Sequence, residues 1–342
     1  MKNISFVLVI CFLFSVKLSK AQDVQFSQFY AAPLYLNPAF AGANERGRAG
    51  MNFRRQWPSL NHSFTTVSSF ADYHLKSLNS GIGLIINQHQ EDFLGFQSTD
   101  IGLMYAYKLK LSDDLVLRAG IQGSLFHKNV NFENLIFGNQ IDIVNGQVTG
   151  NSGEVFNIDA NTSFLSLASG LLMYSSNFWF GASVHHINQP NQSFLDQNSV
   201  LKRKYSFHTG YKFNLANGGR LRSLSYQFQE RSLSIAANYK RQGGFEQFDL
   251  GFQLHLQPLV FGLWYRGIPW RPTENDITNV DAIIALVGVE VNKDISISYG
   301  YDFTISTLAN ATGGAHEISF NYQFGKVSRR SKRDTILPCF KY

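Results

Sequence analysis

The chain is 342 residues long, with 30 Phe, 15 Tyr and 28 Gly but only 2 Cys, and a formal net charge of +6. Three of its 30 basic residues fall in the first 21 positions and six beyond residue 325, so residues 22–325 carry 21 basic against 23 acidic side chains. A nearly neutral body leaves no footprint for nucleic acid, and a single cysteine outside the leader, Cys339, excludes an intramolecular disulfide.

The N-terminus reads as a secretory leader. Lys2 precedes an apolar run from Ile4 to Val16, and Ser19-Lys20-Ala21 places small residues before a cleavage site between Ala21 and Gln22. That makes residues 1–21 a signal peptide. Residues 22–46 follow, with Gln25-Phe26-Ser27-Gln28-Phe29-Tyr30 and then Pro33-Leu34-Tyr35-Leu36-Asn37-Pro38-Ala39-Phe40-Ala41-Gly42. Two prolines and a glycine argue against a strand, so the stretch is read as an ordered segment packed on or in whatever the later chain builds.

From Gly47 the sequence alternates large apolar and small or polar residues, segment after segment. The predicted strands run from Arg48 to Trp57, Ser63 to Lys76, Gly81 to His89, Ile101 to Leu111 and Leu115 to Leu125. A long connection from Lys128 to about Thr162, with its own Ile141-Asp142-Ile143 alternation, precedes Ser163 to Tyr174 and Phe178 to His186. A second long loop leads to Tyr205 to Leu215. Leu221 to Arg241 is ambiguous, since Leu224, Tyr226 and Phe228 alternate apart from Leu233, Ile235, Ala237 and Tyr239; it is either one long strand or two. Phe248 to Leu256, Leu259 to Arg266 and Asp281 to Val291 come next.

Lys293 to Thr307 carries the clearest pattern. Ile295, Ile297, Tyr299, Tyr301, Phe303 and Ile305 alternate with Ser296, Ser298, Gly300, Asp302, Thr304 and Ser306, which puts all large groups on one face of a strand. Its length suits a tilted strand crossing a bilayer, which takes about 9–11 residues. The last strand, Ala315 to Phe324, repeats the pattern and ends on an aromatic residue. No run after the leader reaches the ~18 apolar residues of a membrane-crossing helix, so a membrane protein of this composition has to be a closed barrel.

Outer-membrane barrels have even strand numbers, short periplasmic turns and longer external loops. Connections after even-numbered strands are mostly short here, and counting Leu221 to Arg241 once gives fourteen strands, with twelve or sixteen as alternatives. The predicted fold is thus an all-β, closed antiparallel transmembrane barrel over residues 47–325, with aromatic girdles outside and a polar lumen of Ser, Asn, Gln and Gly. A soluble β-sandwich would also alternate, but has no reason to repeat lipid-length strands. Residues 326–342 form a basic tail, expected to be flexible and periplasmic.

No pattern of catalytic or metal-binding residues emerges. His185 and His186 are adjacent on a predicted strand and should face opposite sides, which keeps them from converging on an ion. There is no H-E-x-x-H pattern, and Ser, His and Asp show no spacing that joins them as a nucleophile, base and orienting group. No cofactor is expected. Asp302 lies on the polar face of its strand and should point into the lumen, as should Glu290, Arg266 and Asp249 by the same parity. There it either belongs to an ion-pair network that stiffens the barrel or fixes a plug or partner segment. Asn37-Pro38 is a turn that seats the N-terminal segment or a contact for another protein.

Three motifs together resemble the PorP/SprF family of type IX secretion system membrane proteins. They are the N-terminal Gln25 to Tyr30 with Leu36 to Gly42; Gly181-Ala182-Ser183-Val184-His185-His186-Ile187-Asn188-Gln189-Pro190; and Tyr299-Gly300-Tyr301-Asp302 with Ala315-His316-Glu317-Ile318, closed by Pro338-Cys339-Phe340. The resemblance implies a non-enzymatic outer-membrane component that supports secretion and surface attachment of a partner protein, an adhesin used in gliding in some relatives. The implied partners are the C-terminal domain of a secreted cargo and components of the secretion machinery, with outer-membrane lipid around the barrel. On this reading Asn37, Pro38, Asp302, His316 and Glu317 are the candidate residues for binding a partner or seating a plug. The alternative function is a porin or small-solute transporter.

Overall fold

A computed structural model of the chain describes residues 23–325, apart from 45, 61, 93–94, 131–140, 142–144, 146, 148–160, 195–197, 216–230, 269–278 and 307–308, together with 337–338. The leader and most of the basic tail lie outside the described residues, as do Leu224, Tyr226, Phe228 and most of the long connection after residue 130.

Fourteen strands are present among the described residues. They are β1 (Gly47–Gln56), β2 (Phe64–Leu75), β3 (Ser80–Glu91), β4 (Phe96–Lys110), β5 (Val116–Asn129), β6 (Asn161–Tyr174) and β7 (Phe178–His185). The second half comprises β8 (Lys204–Asn214), β9 (Arg231–Gln242), β10 (Phe245–Leu256), β11 (Leu259–Ile268), β12 (Asn279–Glu290), β13 (Ile295–Thr304) and β14 (Ala315–Phe324). Each pairs antiparallel with its sequence neighbours, and β1 pairs with β14 from Gly47↔Phe324 to Gln56↔Ala315, which closes the barrel. Closure satisfies the backbone of every strand and removes the edges that lipid cannot solvate. No helix among the described residues is long and apolar enough to cross a membrane; the strands do the crossing.

Alternation sorts the faces. On β13, Ser296, Ser298 and Asp302 are buried inside, while Ile297, Tyr299 and Phe303 are exposed outside. Exposed Tyr73, Tyr107, Tyr211, Phe213 and Tyr322 ring one end of the outer wall, where amphipathic rings meet a membrane boundary. At that end lie the start of β1, the finish of β14 and most of the tight turns, so it is termed the short-turn end; the other is the long-loop end.

Two connections break the expected rhythm. The link from β8 to β9 at the short-turn end spans residues 215–230, whereas β9 and β10 at the long-loop end are joined by Gly243-Gly244 alone. Gly243 has φ of +59°, a conformation open to glycine at little cost, which permits so tight a reversal.

The lumen departs from the polar interior expected for it. Toward the short-turn end Val116, Leu172, Trp179, Trp264 and Ile284 point inward and enclose Phe29, Tyr30, Leu34, Leu36 and Phe40 of the N-terminal segment. Residues 23–46 therefore run inside the barrel, from Asp23 near the long-loop end down to Gly47 at the short-turn end. The molecule's apolar core is the contact between this segment and the wall. Leu337 packs against the same cluster and Pro338 is buried. The tail, expected to be free along its length, thus returns to the barrel where two apolar residues follow its basic run.

Lipid-facing positions should be intolerant of charge. Phe320→Arg, on the outer face of β14 near mid-strand, is expected to cost about 2–4 kcal/mol of barrel stability, read as a shifted urea midpoint in lipid vesicles.

Candidate functional site

Three sets of contacts hold the N-terminal segment in the lumen. The central set surrounds Ser27 and Gln28. The carboxylate of Glu317 on β14 accepts the backbone N–H of Ser27 at 2.7 Å and of Gln28 at 2.9 Å, two donors that a non-helical, non-strand segment otherwise leaves unsatisfied. Ser27 Oγ donates to Asp302 Oδ2 at 2.6 Å and accepts from Arg54 Nη1 at 2.6 Å and Arg266 Nη2 at 2.9 Å.

The same guanidinium groups tie the carboxylates together. Arg54 reaches Asp302 at 2.8 Å and Glu317 at 3.1 Å, and Arg266 reaches Asp249 at 2.8 Å and Asp302 at 3.0 Å. All five charged side chains are buried. Charges so far from water persist only when each is paired and hydrogen-bonded, and here each cation spans two anions.

The second set lies nearer the short-turn end. Asn37 Oδ1 accepts from Ala39 N at 2.9 Å and caps the 3-10 turn Pro38–Phe40, in which proline's missing N–H costs nothing at the first position. Asn37 Nδ2 donates to the carbonyls of Leu171 at 2.9 Å and Ala182 at 3.2 Å, on β6 and β7. Arg118 of β5 donates to the carbonyls of Ala39 at 3.0 Å and Ala41 at 2.5 Å, Ser183 to that of Leu36 at 2.8 Å, and Trp179 Nε1 to the Tyr30 hydroxyl at 2.9 Å. This approach needs bare backbone: a Cβ at Gly120 would overlap the Pro38-Ala39 peptide, and one at Gly170 the Asn37 side chain.

The third set anchors the start of the segment. Asp23 Oδ2 lies 2.8 Å from both Lys204 Nζ and His186 Nε2, and its backbone N–H donates to Gln242 Oε1 at 2.9 Å. Burial opposes the charge on Asp23, but His186 and Lys204 outweigh it and hold the carboxyl well below the usual carboxylate range.

These contacts correct one expectation from sequence. His185 and His186 do not face opposite sides: β7 ends at His185, and φ of +57° at His186 turns its ring inward, so both are buried with centroids 6.4 Å apart. Among the described residues no group of three or more His, Cys, Asp or Glu side chains is arranged to hold a metal ion.

The candidate residues divide. Asn37, Pro38, Asp302 and Glu317 lie where segment meets wall. His316 is on the outer face, its Nδ1 2.7 Å from the Tyr299 hydroxyl and its ring beside Tyr301, away from the other four. Asp249 and Arg266 join Asp302, whereas Glu290 is set apart, 3.0 Å from His255 toward the short-turn end. Arg54, Ser27, Arg118, Asp23 and Lys204 were not singled out from sequence. Arg54 had a readable signal, an arginine on the inward parity of a membrane-length strand.

Above the segment, toward the long-loop end, the lumen opens into a cavity of about 1240 Å³ whose lining includes Asp23, Val24 and Phe26. The base of this vestibule is thus the plug itself.

A family model described as "Type IX secretion system membrane protein PorP/SprF" matches residues 18–322 of this sequence. The chain belongs to the PorP/SprF family. Membership makes it an outer-membrane component of type IX secretion. No curated protein sequence matches the chain. Solved structures to which this PorP/SprF chain is similar include the CymD monoaromatic hydrocarbon channel, at 11% identity over 86% of this chain and 93% of that one with a TM-score of 0.45. A Pseudomonas aeruginosa FadL homologue is similar at 12% identity over 84% and 93% with a TM-score of 0.42, and the KdgM porin at 7% over 81% and 99% with 0.35. At these scores the likenesses carry no functional weight.

Two substitutions test how this PorP/SprF member holds its plug. Arg54→Gln leaves Asp302 and Glu317 without their shared cation and should cost about 3–5 kcal/mol, read as a lowered midpoint of unfolding. Gly120→Val should displace the Asn37–Ala41 turn while β5 keeps its pairing, so that a protease cuts within residues 30–45 of a barrel that still runs as a folded, heat-modifiable band.

Proposed function

We propose that this PorP/SprF protein is a closed, non-enzymatic barrel that holds a secreted partner at the cell surface through the partner's C-terminal domain. The long-loop end faces outward on this reading, and the short-turn end, with the basic tail, faces the periplasm, in keeping with the usual placement of short turns. The observation that carries the reading is the filled lumen. A barrel whose bore is occupied by a hydrogen-bonded, aromatic-rich segment of its own chain is suited to binding at its mouth rather than to conduction.

The polar groups at the plug support a structural role over a chemical one. Ser27, Arg54, Asp302 and Glu317 are engaged with one another, and the carboxylate to which Ser27 donates, Asp302, is held by two guanidinium groups, which makes it a poor base for activating a nucleophile. Asn37, Pro38, Asp302 and Glu317 are assigned to seating the plug, and His316 to the outer surface, where it meets lipid or a lateral neighbour.

The test is a mild-detergent pull-down of the tagged protein from its own outer membrane, paired with planar-bilayer recording. Recovery of a secreted protein through its C-terminal domain, or of secretion-machine components, from a barrel that conducts little supports the proposal. Deletion of residues 25–42 should raise conductance by an order of magnitude or more. An intact barrel that comes out alone and conducts ions overturns the proposal in favour of a porin.

A further inference from the structure

The vestibule above the plug has one wall unlike the rest. At the long-loop ends of β2 to β4, Phe64 meets Trp57 at 5.7 Å, stacks on His89 at 5.8 Å with 6° between ring planes, and His89 in turn meets Phe96 at 6.3 Å. On β5 and β6, Phe126 stacks on Phe164 at 5.1 Å and meets His186 at 5.8 Å. Lys128 Nζ links the two groups, 6.0 Å from the Phe96 ring centre and 5.4 Å from that of Phe164. An aromatic band therefore runs along inward positions of five adjacent strands, a place where alternation normally puts polar groups.

Three residues that line the same cavity, Asn87, Gln122 and His185, each carry a covered polar atom without a partner among the described residues. Asn87 donates to Asp100 at 2.8 Å and Gln122 to Ser124 at 2.7 Å, yet Asn87 Oδ1, Gln122 Oε1 and His185 Nε2 make no hydrogen bond. Asn87 and His185 are each 7% exposed. Buried polar atoms of this kind are costly unless something answers them.

The lower lumen shows what answers such groups in this protein. There the wall grips a polypeptide, its own N-terminal segment, by side-chain donors and acceptors on main-chain amides and by aromatic contacts. Asn52 and Arg118 bind carbonyls, Glu317 binds N–H groups, Phe29 meets Trp264 at 5.0 Å and Tyr30 meets Trp179 at 5.9 Å. The vestibule offers the same two kinds of contact immediately above, in a space of about 1240 Å³, within the size range of a several-residue peptide and larger than most small-ligand sites.

We propose that the vestibule seats an extended peptide segment of the secreted partner, with aromatic or aliphatic side chains against the β2–β6 wall and main-chain amides at Asn87, Gln122 and His185. The assignment rests on the partner-holding function proposed above and adds where the partner binds and by what chemistry. Both signs of charge line the cavity and carboxylates slightly outnumber cations, which disfavours a strongly acidic segment.

The experiment places the photoreactive residue p-benzoylphenylalanine at Phe96 or Phe126 of the full protein in its own outer membrane, with lipid-facing Phe252 as control. Illumination should join the vestibule positions, and not position 252, to the partner found in the pull-down, with the adduct mapping to an apolar stretch of its C-terminal domain. Asn87→Ala with Gln122→Ala should lower partner recovery tenfold or more while the barrel stays heat-modifiable.

Undiminished recovery without vestibule adducts overturns the assignment and leaves the partner-holding function standing. An adduct to a saccharide in place of a peptide also overturns it. Failure of the unmodified protein to recover any partner overturns both.

Discussion

One buried serine organises this molecule. Around Ser27 two arginines bridge three carboxylates at a depth where none would stay charged alone, and the backbone N–H groups of Ser27-Gln28 supply further donors to Glu317. Every group in the set has a reason to be where it is only because the others are present. The cluster gives a short segment, with no sheet or long helix of its own, one position inside a wide tube.

The rest of the architecture follows from where apolar surface can go. Lipid takes the outer faces of the strands, so those faces cannot drive the interior to pack. A fourteen-strand tube is too wide for its own inward side chains to meet, and the protein fills the gap with residues 23–46, whose aromatic groups meet Trp179 and Trp264. The usual assignment of apolar outside and polar inside therefore holds on β13, where Ser298 and Asp302 bind the plug's polar groups, and fails elsewhere around the plug, where Ile284 and Leu172 turn inward without penalty because a peptide covers them.

Much of the fold was legible because period-two alternation is a local property. Lys293 to Thr307 announced its two faces unaided, and strand parity gave the closed count even though the β8–β9 and β9–β10 links ran against the loop rule. The site was legible only where a residue's chemistry contradicted its place, as with Asp302 on a membrane-length strand. Glu317 and Asn37 came from a motif. Arg54, Arg118 and Lys204 depend on which strands the closed barrel brings opposite the segment, and no window of sequence contains that information. The error at His185 and His186 had a narrower source: a single left-handed residue ended the strand one position early.

Arg54 and Glu317 are also direct partners across the β1–β14 seam, the junction at which the first and last strands meet. The groups that grip Ser27 are thus the groups that face each other when the tube shuts. Before the last strand arrives, Arg54 has no carboxylate beside it from β14 and Ser27 lacks the acceptor for its backbone. The segment is enclosed by strands whose seam partners Arg54 and Glu317 are 263 residues apart in order, so one pair of side chains both joins the wall and holds its contents.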